Sequence, residues 1–287
     1  MFVSRVAVTK IKFPVHIFIK QLPGNLQRRD SSTTSVAAPD TIIGPVPRCA
    51  SLLASIKRCR MSYISSSAEA TAAFESLGCK VIKRMSTNTS QAVLHVSDEG
   101  KLTLTITGTR ISLDSLRKDL TDLWEDWEPL FFHRHLEDND VVACGALDRW
   151  TEIWAWARPV VGDAPLVVEG HSLGGQTTHL AMRLLGPQVA QAYAWEAPKA
   201  MNASAWSRVD VSRCVTVLHG RDPLAAWPPP EFLSDLRHPP GPILWIRDRG
   251  SWEWTTAGTW PGGDLRRIVD HFPESIIPSL EVLCNES

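Results

Sequence analysis

The chain has 287 residues, enough for one large α/β domain or for a domain with a tail, and its 44% hydrophobic and 21% charged residues are ordinary values for a globular protein. A net charge of −1 excludes the basic excess of a nucleic-acid binder, and no apolar run reaches the roughly 18 residues of a membrane-spanning helix. The six cysteines (Cys49, Cys59, Cys79, Cys144, Cys214 and Cys284) form no CxxC pair and have no histidine at metal-ligand spacing. No zinc site is therefore expected, and each cysteine reads as a buried or free thiol in a chain too long to need a disulfide framework.

Residues 1–60 differ from the rest. They carry Arg5, Lys10, Lys12, Lys20, Arg28, Arg29, Arg48, Lys57, Arg58 and Arg60 against only Asp30 and Asp40. A polar run from Ser31 to Ser35 and the breakers Pro39, Pro45 and Pro47 follow, a pattern of disorder. Lys10, Lys12 and Lys20 interrupt the apolar core that a secretory signal needs. The segment fits an organelle transit peptide or an unstructured extension, or a start placed upstream of Met61, where a domain spanning 61–287 would begin. The cellular address stays open.

Ordered structure is expected from about Ser65. Ala68 to Leu77 has helical composition and is stopped by Gly78. Gln91 to Val96 and Lys101 to Thr107 read as strands joined by the turn Ser97-Asp98-Glu99-Gly100. Helices follow over Leu113 to Trp127 and Ala146 to Trp156, then a short apolar strand at Leu166 to Val168 and a helix from Gly174 to Leu185 closed by Gly186. Strands are expected at Ala190 to Trp195, Cys214 to Leu218 and Ile243 to Ile246, and a last helix at Pro273 to Leu280. Helices alternating with short apolar strands predict an α/β fold with a mainly parallel sheet and helices on both faces.

The segment Gly170-His171-Ser172-Leu173-Gly174-Gly175 matches the G-x-S-x-G nucleophile elbow. Such a short pattern also arises by chance, so its flanks carry the weight: an apolar strand before it and a helix after it. The turn is sharp, so side chains at Gly170 and Gly174 would collide with the turn and the neighbouring strand. It lifts the Ser172 hydroxyl to the tip of the sheet, where the Leu173 N–H can donate to an oxyanion. A glycine-rich anion-binding turn is the bland alternative.

A serine hydroxyl needs a base, and the base a carboxylate to orient it. Of the downstream histidines, His179 lies inside the elbow helix, His219 ends a strand too early and His238 sits in a proline-rich loop. His271, near the C-terminus, is the candidate base. Asp222, in the loop beyond the Cys214 strand, is the candidate acid. Asp248 is the runner-up, and Asp270 adjoins His271 too closely to grip its ring.

The pattern resembles the class 3 (fungal-type) lipases of the α/β-hydrolase superfamily. Thr105 to Arg110 (TITGTR), Glu169 to Gly175 (EGHSLGG), Ala194 to Lys199 (AWEAPK), His219 to Leu224 (HGRDPL) and Asp270-His271-Phe272 occur in the family's order. The resemblance covers about Gln91 to Leu280 and implies that Thr109 supplies the second oxyanion N–H. It also implies a lid over residues 110–145, where Trp124, Trp127, Phe131 and Phe132 stand among acidic residues, although an ordinary packing helix would look the same. Two positions depart from the family: Thr107 replaces an arginine, and Glu196 replaces a glycine. The expected activity is hydrolysis of carboxylic esters, lipids among them, by Ser172, His271 and Asp222, with a small-molecule ester substrate, transient contact with a lipid interface, and no metal or organic cofactor. A phospholipase, thioesterase or acyltransferase on the same fold remains open, as does a catalytically silent binding module.

Overall fold

The computed structural model describes residues 48–109, 133–136, 139–228, 235–247 and 251–286. Eight strands form one sheet: β1 (Lys80–Ser86), β2 (Gln91–Val96), β3 (Leu102–Ile106), β6 (Leu166–His171), β7 (Val189–Trp195), β8 (Cys214–His219), β9 (Ile243–Ile246) and β10 (Trp252–Thr255). They lie in the order β1-β2-β3-β6-β7-β8-β9-β10. The five from β3 to β9 are parallel, and antiparallel partners close both edges. A small two-stranded sheet pairs β4 (His133–His135) with β5 (Val141–Ala143). The helices are α1 (Cys49–Ser62), α2 (Ser67–Ser76), α3 (Cys144–Val161), α4 (Leu173–Leu185), the single turn α5 (Ala203–Trp206) and α6 (Pro273–Glu286).

Alternation along the strands sorts two cores. On one face Leu104, Ile106, Leu166 and Val168 pack with Leu147, Trp150 and Ile153 of α3 and Leu180 of α4. On the other, Val215, Val217, Leu244 and Ile246 pack with Leu52 and Ile56 of α1 and Ile276 and Leu280 of α6. Helices cover both faces, as such a sheet requires.

Three expectations are corrected here. The first helix lies where an extension was expected, so the fold begins no later than Arg48 rather than at residue 61. Leu52, Ile56 and Cys59, spaced four and three apart, form a wholly buried stripe of α1. Second, Cys49 and Cys284 form a disulfide across 235 residues that ties the start of α1 to the end of α6. Closing so long a loop restricts the unfolded chain substantially. The other four cysteines are free, three of them buried. Third, the segment expected as a lid reaches into the core at its far end, because Val141, Val142 and Ala143 are buried. Residues 110–132, with Trp124, Trp127, Phe131 and Phe132, lie outside the described residues, as do Asp248 and residues 1–47.

The basic character of α1 has its reason in the sheet. Thr103 and Thr105 alternate with Leu102, Leu104 and Ile106, yet both threonines are buried, because α1 covers their face. Glu169 of β6, with no exposure, sits among them. Arg58 grips it with two bonds, Nε to Oε1 and Nη2 to Oε2, each 2.8 Å. The Thr105 hydroxyl donates to Oε1 at 2.6 Å. Burial pushes Glu169 upward, but the Arg58 charge and these bonds bring it below the usual carboxylate range. Replacing Arg58 by alanine leaves this carboxylate uncompensated and should cost about 3–5 kcal/mol, read as a lowered denaturation midpoint. The double variant Arg58→Met/Glu169→Gln, which buries no charge, should recover part of that loss.

Candidate active site

Thr109, Ser172 and Asp222 lie just beyond the carboxyl ends of the parallel strands β3, β6 and β8, the usual place for a site in such a sheet, and the segment before α6 brings His271 to the same end. Ser172 follows β6 with φ +60° and ψ −127°, a conformation that costs strain in any residue but glycine. Crowding explains the glycines around it. A Cβ on Gly170 would run into the Gly174 carbonyl, and one on Gly174 into the carbonyl oxygen of Ile106 in β3. The elbow is thus pressed against its own helix and the next strand, with Ser172 at its tip.

The structure brings Ser172, His271 and Asp222 together in one hydrogen-bonded chain. His271 Nε2 lies 2.8 Å from Ser172 Oγ, and Nδ1 lies 2.6 Å from Asp222 Oδ2. The geometry fits an Nδ1–H donating to Asp222 and an Nε2 accepting from the serine hydroxyl. Asp222 follows β8 and has no exposure, and its Oδ1 accepts the Leu224 N–H at 2.8 Å. Burial raises its carboxyl, but the His271 charge and bond outweigh that and leave it below the ordinary range. His271 ends a short 3₁₀ segment, Leu265–His271, just before α6. Asp270 turns away from it: its carboxylate accepts Arg267 Nε at 2.9 Å and the Arg221 N–H at 3.0 Å. His179 bonds Thr216 at 2.9 Å inside the core, and His219 bonds the Asp270 carbonyl at 3.1 Å. Thr109 and Ser172 line the same cleft of about 200 Å³, with Tyr63, Leu224 and Phe272. Leu173 opens α4, where the first N–H groups of a helix have no acceptor within it.

Two further residues join this site: Tyr63, which no sequence pattern marks, and Glu196, which the sequence marks only as a departure from the resembled family. Tyr63, just beyond α1, accepts the Gly108 N–H at 3.1 Å and donates to His171 Nδ1 at 2.8 Å. His171 then donates from Nε2 to the His271 carbonyl at 2.6 Å. This relay ties the loop after β3 to the segment that carries His271. No local pattern marks Tyr63, since its role exists only once α1 packs. The other residue is Glu196, which follows β7 at φ +45° and is wholly buried. Among the described residues, Glu196, Asp222 and His271 are the one group whose donor atoms lie close enough, within 4.8 Å, to hold an ion. The two of them on the Ser172 chain are already bonded to each other.

The site's surroundings agree with the topology. The fold is that of the α/β-hydrolases. Among solved structures, the chain is similar to an MDLA variant from Penicillium cyclopium, at 20% identity and TM-score 0.58 over 77% of this chain and 94% of that one. It is similar to the triacylglyceride lipase of Rhizomucor miehei, at 19% identity and TM-score 0.58 over 79% and 94%. It is also similar to lipase II of Rhizopus niveus, at 18% identity and TM-score 0.56 over 78% and 92%. No protein-family profile matches the chain, and no curated protein matches it in sequence. At these identities the likeness is one of fold.

Four buried histidines set an acid limit on this hydrolase fold. Burial pushes His171 and His179 down to about 3, and His95 and His238 down to about 4, from an ordinary 6.5. Below about 6.5 the unfolded chain binds protons that the folded chain refuses, so stability falls as pH falls, by up to about 1.4 kcal/mol per pH unit for each histidine. Thermal melts by circular dichroism should show the midpoint dropping steeply between roughly pH 6.5 and 4.5. A flat profile over that range would contradict neutral burial of these rings.

Proposed function

We propose that this protein is a serine hydrolase of carboxylic esters. The observation that carries the reading is the unbroken chain from Ser172 Oγ through His271 to the buried Asp222, with spacings of 2.8 and 2.6 Å. In this reading His271 Nε2 takes the Ser172 proton as the oxygen attacks an ester carbonyl. Asp222 holds the ring by its Nδ1–H and stabilises the imidazolium that forms. The backbone N–H groups of Thr109 and Leu173 receive the oxyanion. His271 then gives its proton to the leaving alcohol, and the same groups activate water to release the acid from the acyl-enzyme.

The substrate class follows from the cleft and from the neighbours. The cleft beside Ser172 has an apolar side of Leu224, Phe272 and Pro273 suited to an acyl chain, beside the charged pair Arg60 and Glu274. Two of the structures named above are described as lipases, one of them as a triacylglyceride lipase. Lipid esters are therefore the substrates we favour, and a lipid surface the contact. Phospholipid, thioester and acyl-transfer chemistry would use the same three groups.

Hydrolysis of a short and a long p-nitrophenyl ester by the wild type, beside Ser172→Ala and Asp222→Asn from the same preparation, tests the reading. Ser172→Ala should fall by about 10⁴-fold or more, and Asp222→Asn by about 10⁴-fold, because the amide favours the wrong ring tautomer. A higher rate on the long ester would support the lipid assignment. Activity that survives in Ser172→Ala would mean another nucleophile. A wild type that neither hydrolyses esters nor reacts with a fluorophosphonate would mean a binding scaffold.

A further inference from the structure

Glu196 sits where the Gly170–Ser172 elbow meets the acid loop, and nothing in the proposed reaction uses it. It follows β7, its N–H donates to the Val217 carbonyl of β8 at 3.0 Å, and its side chain has no exposure. Its φ of +45° is one that an L side chain adopts only under constraint, whereas a glycine would take it freely. Neither carboxyl oxygen meets a donor in hydrogen-bonding geometry. What lies beside it is a second carboxyl, that of Asp222, an oxygen of which comes within 4.8 Å of a Glu196 oxygen.

Two buried carboxylates in contact have only acceptors to offer each other. One proton between them turns that repulsion into a short O–H···O⁻ bond. Asp222 is bonded to His271 through Oδ2 and to the Leu224 N–H through Oδ1, so it is the better-stabilised anion. Glu196 faces only the His219 amide, which does not meet it in hydrogen-bonding geometry, and is the natural holder of the proton. We propose that Glu196 is a positioning residue for the triad acid, a neutral carboxylic acid whose O–H donates to Asp222 and holds that carboxylate against His271. This rests on the serine-hydrolase reading above.

The charges facing Glu196 favour the proton. Burial is the largest influence and pushes Glu196 well above the usual carboxylate range; the Asp222 charge adds to it, as does Asp270 more weakly. The His219 backbone amide pulls the other way. His271 faces the same pocket from the C-terminal segment, but its Nδ1–H is spent on Asp222. Asp270 is itself paired with Arg267.

Two measurements test the proposal, and the first does not depend on activity. Infrared difference spectra of wild type against Glu196→Gln at neutral pH should show a protonated carboxyl C=O band, shifted by deuterium exchange, that the variant lacks. The second is kinetics on an ester, provided that Ser172 reacts with a fluorophosphonate in each variant. Glu196→Leu, which offers no donor, should lower kcat by about ten- to a hundredfold with little change in KM. Glu196→Gln, whose amide N–H can replace the O–H without changing the charge, should recover most of that loss. It should also leave the acid limb of kcat/KM in place. An absent band, together with an acid limb that moves to lower pH in Glu196→Gln, would show an ionised Glu196 and overturn the proposal. Full kcat in a folded Glu196→Leu would overturn the positioning role. If the wild type proves inactive and unlabelled, the hydrolase reading fails, and the infrared band still decides where the proton resides.

Discussion

The buried carboxylate of Glu169 organises the amino-terminal half of this fold. It stands one residue before the elbow glycine Gly170, on a sheet face where an isolated anion could not stay ionised. Arg58 answers it with a bidentate grip that only one placement of α1 can make. A pair of this kind adds little net stability over a well-packed apolar contact, but it fixes register, since sliding α1 by a turn would strand both charges. That register sets Tyr63 just past the end of α1, and Tyr63 in turn holds the Gly108 amide and His171. The first helix thus reaches the candidate site through a structural ion pair and a three-member hydrogen-bond relay.

Four buried carboxyls lie toward this end of the sheet, and they are compensated in different ways. Glu169 and Asp270 are met by the permanent cations Arg58 and Arg267, Asp222 by a histidine that in the proposed reaction gains and loses a proton, and Glu196, as we propose, by a proton of its own. The distinction matters for the chemistry. A permanent cation beside Asp222 would weaken its hold on the imidazolium, and a second full negative charge would make His271 too reluctant to release its proton. A neutral donor at Glu196 does neither. It steadies the carboxylate while leaving one net charge to face His271.

The fold was legible in the sequence where one kind of periodicity dominated. The strands Gln91–Val96 and Ile243–Ile246 and the elbow helix lie almost where alternation and helical spacing put them. The first helix is hidden in the sequence because its charges outweigh its widely spaced apolar stripe. Arg58 reads as a mark of solvated chain, yet it is one of the most buried cations among the described residues, and what makes it so is Glu169, 111 positions away. The disulfide escaped for the same reason: Cys49 and Cys284 meet only through the packing of α1 on α6. β1 and β10, the antiparallel edges, carry exposed charged and aromatic residues that blur alternation. At the candidate site, Ser172, His271 and Asp222 are legible as candidates from motif and chain order, whereas Tyr63 gains its partners only once α1 packs, and Glu196 reads only as a departure from the resembled family.

Backbone strain ties these threads together. Three adjacent parallel strands leave the sheet through positive φ at the same end: β6 at Ser172, β7 at Glu196 and β8 at Gly220. At Gly220 the reason is steric, because a Cβ there would enter the carboxyl of Asp270. At Ser172 the strained turn is what raises the hydroxyl to His271. Glu196 has neither excuse, since a glycine would make the same turn without the roughly 1–3 kcal/mol that such a conformation costs. A strained, buried, acidic side chain beside the triad acid is retained against both backbone and desolvation penalties. The interaction we propose to offset them is the approach of its carboxyl to that of Asp222, within 4.8 Å, and two carboxyls can bond only through a proton.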